Sequence, residues 1–245
     1  MGMFEMKQSQ DSHQRSRHLI RFYSLLDILE RNLGGTRTLA ESNGHMPWPT
    51  RGVYFFQEPG EVRIDTGSGP RIVRVGTHAL KAGSKAKLWK RLSQHKGQVS
   101  NGGGNHRGSI FRLIVGTALL QRHGRVAATW GKGDTAARDL RDAELTMECE
   151  VTGIIGKMPF LWLPVDDPAG PESRRDSIER NSIALLSNYD RPPLDAPSNT
   201  WLGGDCNREK VRMSGLWNSN YVEKSYNPEF LDEFETLVSS TKAAG

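Results

Sequence analysis

Apolar positions along the chain recur with two different periods, and the changes between them mark out the elements. From residue 15 to 33, Leu19, Phe22, Tyr23, Leu26 and Leu29 fall three and four apart, the spacing of one helical face, and Gly34-Gly35 ends the run. A loop rich in Gly and Pro follows to about Thr50, with HMPWP (45–49) read as a packing turn. RGVYFFQ (51–57) is β-branched and aromatic, and RIVRVG (71–76) sets Ile72 between charged neighbours. Asp65 and a Gly-Ser-Gly between them mark a turn, so the two runs predict a β-hairpin with a long loop. Residues 84–95 predict a basic amphipathic helix with Ser84 as N-cap. NGGGN (101–105) excludes regular structure, 109–124 predicts a helix capped by Ser109, and 135–156 predicts another helix. PFLWLPV (159–165) reads as a buried strand, and 174–188 as a helix turning Ile178, Ile183, Ala184, Leu185 and Leu186 to a core. The tail is loop-rich, with Trp201 and Trp217 as packing anchors, and a last helix spans about 228–238.

This order, a hairpin, one further strand and several helices, predicts an α+β fold. A helical extension (1–50) precedes a core with a basic insertion (51–190), and a C-terminal loop and helix (191–245) pack on that core. No apolar run approaches the roughly 18 residues of a membrane-spanning helix, and the polar start does not read as a signal peptide. Cys149 and Cys206 belong to no C-x-x-C pair; buried, inert thiols and a cytoplasmic location are expected.

Charge changes the picture. The formal net charge is only +5, but Thr66 to Gly133 contains no Asp or Glu and thirteen Lys and Arg. The rest of the chain is therefore net acidic, and the segregated positive field suits a polyanion. Within this segment Lys87, Lys90, Asn105, His106, Arg107 and Arg112 are candidate nucleic-acid contacts. The last four lie on a glycine-flexible loop and the start of a helix, where amides and Arg suit phosphate.

The hairpin, the basic helix and a later helix carry an ordered set: Gly52-Val53-Tyr54, Arg74-Val75-Gly76, Arg91 with His95 one turn on, and Glu179. This set resembles the GIY-YIG nuclease superfamily, in its restriction-type or an uncharacterised bacterial branch. Gly52-Val53-Tyr54 matches the first triplet. Arg74-Val75-Gly76 falls on the second, with Arg where the family usually has Tyr. Arg91, His95 and Glu179 match its helical arginine, a restriction-type histidine and its metal-binding glutamate. An asparagine after the glutamate helix is also common in the family; Asn188 and Asn199 both offer themselves. The resemblance covers roughly 51–190 and implies a small three-stranded antiparallel sheet flanked by helices and a metal-dependent endonuclease hydrolysing DNA phosphodiester bonds.

In that reading Tyr54 is the proton acceptor, favoured by nearby Arg74, His78, Arg91 and His95. Arg91 forks onto non-bridging oxygens, and Glu179 binds Mg²⁺ or Mn²⁺. Arg74 cannot act as a base but could bind phosphate, and His78, four residues on, is a substitute for the missing tyrosine's proton role. Two alternatives stand beside it: a nucleic-acid-binding protein of the same fold without catalysis, and an RNA nuclease.

Overall fold

In the computed structural model, residues 2–170 and 172–241 are described, with side chains from residue 12. Chain order is α1 (Gly2–Leu33), β1 (Arg37–Thr38), β2 (Gly52–Val62), β3 (Pro70–Gly76), α2 (Leu88–Lys96), α3 (Ile110–Arg122), α4 (Arg138–Ile155), β4 (Pro159–Pro164), α5 (Arg174–Leu186), α6 (Glu209–Ser214) and α7 (Phe230–Ser240). The four strands form one antiparallel sheet in the order β1-β4-β2-β3. Three of them are the expected strands. β1 is a two-residue Arg-Thr pairing on the β4 edge, too short to leave a periodic trace.

β2 is central, which explains its nearly unbroken apolar run: both its faces are covered. Alternation along the strand divides the work. Phe55 packs against Phe22 of α1 and Phe234 of α7 on one face. Tyr54 and Phe56 meet His95 of α2 and Phe111 of α3 on the other. β3 would be an exposed edge, yet it is buried, because the C-terminal tail pairs with it. Trp217 N–H donates to Val73 O at 2.7 Å, and the Asn218 amide brackets Val75, accepting from its N–H and donating to its C=O.

Two expectations need correction. The basic helix begins at Leu88, not at Ser84: Leu88 N–H is held by Thr50 O at 3.0 Å, so 84–87 stays extended and Lys87 occupies the N-cap with no side-chain bond. The tail holds more order than its loop-like composition suggests, in α6 and a 3₁₀ turn at Leu202–Asp205. There Trp201 and Trp217 both donate their indole N–H to Glu58, as packing anchors. Both cysteines are free; Cys206 is buried, whereas Cys149 is only half-buried. Among the described residues no helix is long and apolar enough to cross a membrane.

Candidate active site

The two triplet glycines have direct steric reasons. Tyr54 pairs across the hairpin with Gly76, and a Cβ at Gly76 would overlap the phenol ring and hydroxyl. A Cβ at Gly52 would collide with Leu163 O of β4. The phenol therefore lies flat across the β3 end, 1 % exposed, with its hydroxyl 2.9 Å from His95 Nε2. His95 Nδ1 is 2.7 Å from Ser109 Oγ, and Ser109 also caps α3 by accepting Arg112 N–H. His95 is wholly buried; burial, then Arg91, Arg74 and Arg112, hold its pKa well below the usual imidazole value. The ring is neutral at pH 7. When Nδ1–H donates to Ser109, Nε2 is free to accept the Tyr54 proton.

Arg74, Arg91 and Glu179 surround this pair. Arg74 is 5 % exposed; it donates Nη1–H to Trp217 O, lies 4.6 Å over the Phe111 ring, and leaves Nε without a partner. Burial lowers its pKa, and Tyr54 and Glu179 partly offset that. The expected phosphate contact at Arg74 is thus corrected: it is a fixed interior cation facing Tyr54 and Glu179. Arg91 is half-buried and bound only to Gln94 Oε1 at 3.1 Å and Gly108 O at 3.3 Å, so its guanidinium is available.

Glu179 sits on α5, whose Ile178 and Ile183 anchor it to the core. Its Oε1 accepts Thr77 N–H at 3.2 Å, at the point where the chain leaves β3. Burial pushes its pKa up to about 7 against Arg74, the Thr77 N–H and Arg91. Beside it, His78 is buried with no hydrogen-bond partner of good geometry at either ring nitrogen. Burial, then Arg175, with smaller effects of Arg51 and Arg91, push its pKa down to about 4, and the Thr50 backbone offsets little of that. His78 is a weak proton acceptor at neutral pH. The turn after it is pinned by Arg175, which pairs with Asp167 and donates to His78 O and Ala79 O. Ala79 has φ +55°, a left-handed conformation unusual outside glycine.

The basic insertion is also corrected. Arg112 is wholly buried, ion-paired to Glu148 at 2.6 Å, and donates to His95 O. His106 is 1 % exposed, bonded to Glu148 and stacked on Trp130. Arg107 makes a two-pronged pair with Glu144, and Asn105 caps the short 3₁₀ turn at His106–Gly108. These groups hold the insertion on α4. Exposed positive charge that forms no ion pair among the described residues lies instead on Lys81, Lys85, Lys87, Lys90 and Lys132.

Ser109, Thr77 and Arg175 are the functional positions that sequence missed or half-read. Ser109 was visible as a cap but not as a partner of His95, and a backbone N–H such as that of Thr77 leaves no sequence signal. Asn188 is structural, bonded to Arg15 and Leu194, and Asn199 is exposed. Among the described residues no three His, Cys, Asp or Glu converge on a metal position. Glu179 nonetheless suits a hard ion that keeps most of its waters, since Oε2 takes no hydrogen bond among the described residues. A family model described as GIY-YIG domain matches residues 13–244, well beyond the expected 51–190. No curated protein and no solved structure matches the chain.

Proposed function

The chain belongs to the GIY-YIG domain family, and from that premise we propose that it is a metal-dependent endonuclease hydrolysing DNA phosphodiester bonds. Nuclease-type phosphodiester hydrolysis is the family's general chemistry. The observation that carries the finer reading is the 2.9 Å contact of Tyr54 Oη with a neutral His95, with Arg74 and Arg91 close by and Glu179 at the end of the same hairpin.

In this mechanism Tyr54 accepts a proton from the attacking water as its own proton passes to His95 Nε2, while Ser109 steadies Nδ1–H. The water oxygen bonds to phosphorus, and the bond from phosphorus to the leaving oxygen breaks. His95, low in basicity, holds that proton only while the bonds to phosphorus exchange and returns it through Tyr54 to solvent, and the leaving oxygen takes its proton from solvent water. Arg91 leaves its two weak partners and forks onto the non-bridging oxygens as charge builds there. Arg74 contributes fixed positive charge from the interior. Glu179 would hold Mg²⁺ or Mn²⁺ through Oε2, and the ion when bound neutralises charge on the leaving oxygen.

A second reading, a binding protein of the same fold without catalysis, is favoured by the burial of Tyr54 and by Arg74 in the second triplet. One experiment separates them: incubation with plasmid, single-stranded DNA and RNA, each with Mg²⁺, Mn²⁺ or EDTA. We expect cleavage of DNA that needs the metal. Tyr54→Phe, which keeps the ring, should slow turnover by roughly 10²–10⁴-fold with affinity little changed. Salt-sensitive binding with no cleavage under any metal would establish the binding reading, and preferential cutting of RNA would replace the substrate.

A further inference from the structure

A groove of about 810 Å³ runs between the Gly44–Thr50 turn and the segment from Lys85 to Ser93. It lies outside the catalytic set. Lys85, Lys87 and Lys90 line it, all exposed and without ion pairs among the described residues, and no Asp or Glu lines it. Its aromatic wall is the half-buried Trp89, backed by Trp48 with centroids 5.2 Å apart and planes 14° apart, Trp48 being itself stacked on Phe160. Gly44 lets the turn close on the indole edge, where a Cβ would come within 2.8 Å of Trp89 Nε1. Basic groups that follow a phosphate backbone, combined with aromatic surface that tolerates any base, are the requirements of a single strand.

The groove shares α2 with the active site: Lys90 lines the groove and the next residue is Arg91. Thr50 O, which accepts the Leu88 N–H, lies two residues before β2 and four before Tyr54. Lys87, at the N-cap of α2, also lines the groove and lies one turn from Arg91. Crossing that helix takes about 10 Å, or roughly two to three nucleotides.

We propose that this groove holds an unpaired stretch of DNA beside the cleaved bond, so that the protein acts on DNA carrying single-stranded tails or junctions in preference to uninterrupted duplex. This rests on the nuclease reading above for its position next to a cut, but its test needs no turnover.

The test is fluorescence anisotropy in EDTA with four labelled probes: a single strand, a blunt duplex, and the same duplex with a three-nucleotide tail of either DNA or RNA. The full chain should bind the tailed duplex at least about tenfold more tightly than the blunt one. The surface variant Lys85→Ala/Lys87→Ala/Lys90→Ala should lose that preference, and its log–log salt slope on single strands should fall by about 2. Single-stranded DNA should quench tryptophan emission, and Trp89→Phe, folded by circular dichroism, should lose much of that quench. Equal affinity for blunt and tailed DNA, an equal loss on both in the triple variant, tighter binding of an RNA tail than a DNA tail, or an unchanged quench in Trp89→Phe would overturn the proposal. Tail preference without cleavage in Mg²⁺ or Mn²⁺ removes the nuclease reading and keeps the groove. Metal-dependent cleavage with no tail preference removes the groove and keeps the nuclease.

Discussion

Tyr54 and Gly76 constrain each other, because the phenol occupies the space where any side chain at 76 would begin. Gly76→Ala should therefore cost about 1–3 kcal/mol by overpacking, and should push Tyr54 away from His95. Thermal unfolding reads the first effect. The second appears as a loss of plasmid cleavage matching that of Tyr54→Phe, and wild-type cleavage by Gly76→Ala would separate the hydroxyl from the chemistry. The glycine-based triplets are legible as short motifs, although the contacts that require them, Tyr54 on Gly76 and Leu163 O on Gly52, come from distant parts of the chain. Ser109 and Thr77 are not legible in that way, since their roles depend on which helix reaches the β3 end. Glu179 was legible as a residue type but not as a carboxyl with a pKa near 7. Burial raises that pKa, so between the ordinary carboxylate range and about pH 7 the folded state binds a proton that the unfolded state releases. Stability must then fall as pH rises through that window. Glu179→Gln should flatten this dependence and leave the variant on the order of 2 kcal/mol more stable than wild type at pH 8. At limiting Mg²⁺, cleavage by the wild type should rise with pH and level off above about 7. A denaturation series parallel for the two proteins from pH 5 to 8 would show that Glu179 is not held protonated by the fold.

At the scale of elements, the sequence revealed charge but not its partners. The acid-free stretch suggested a continuous phosphate-binding surface, yet its insertion is held to α4 by Glu144 and Glu148, carboxylates that come after the stretch has ended. Glu148 alone receives Arg112, the His106 ring and the His106 N–H. Burying an arginine so completely is tolerable only while that carboxylate faces it. Glu148→Ala should thus destabilise the protein by about 3–5 kcal/mol, measured by urea denaturation. Arg112→Met added to it should recover part of that loss, because the unpaired interior charge is then gone. A single variant as stable as wild type would mean that the insertion is held by apolar contacts alone. The misplaced start of α2 has a similar origin: Ser84 is a good capping residue, but a long-range bond from Thr50 fixes the first turn at Leu88.

For the whole molecule, the expected division into an N-terminal extension, a 51–190 core and a C-terminal addition follows composition, whereas the packing follows the sheet. Phe22 of α1 stacks on Phe234 of α7 at 5.2 Å, and both rings contact Phe55 at the centre of β2. One apolar cluster runs without a break from Leu19 to Val238. The two ends of the chain therefore form the second cover of the sheet whose other face carries Tyr54, and the tail also closes the β3 edge through Trp217 and Asn218. Periodicity found α1 and α7 as helices, but no local pattern says that two segments so far apart in sequence meet each other. A chain cut to residues 51–190 should not fold, because Phe55 and its neighbours would face water and β3 would be left open. Phe234→Ala, which leaves the backbone intact, should cost about 3–5 kcal/mol. Its unfolding should remain one transition, with the helical signal and the tryptophan emission lost together. If the helical signal were lost first while tryptophan emission held, the terminal helices would be an independent unit, and the site would need only the central residues to stand.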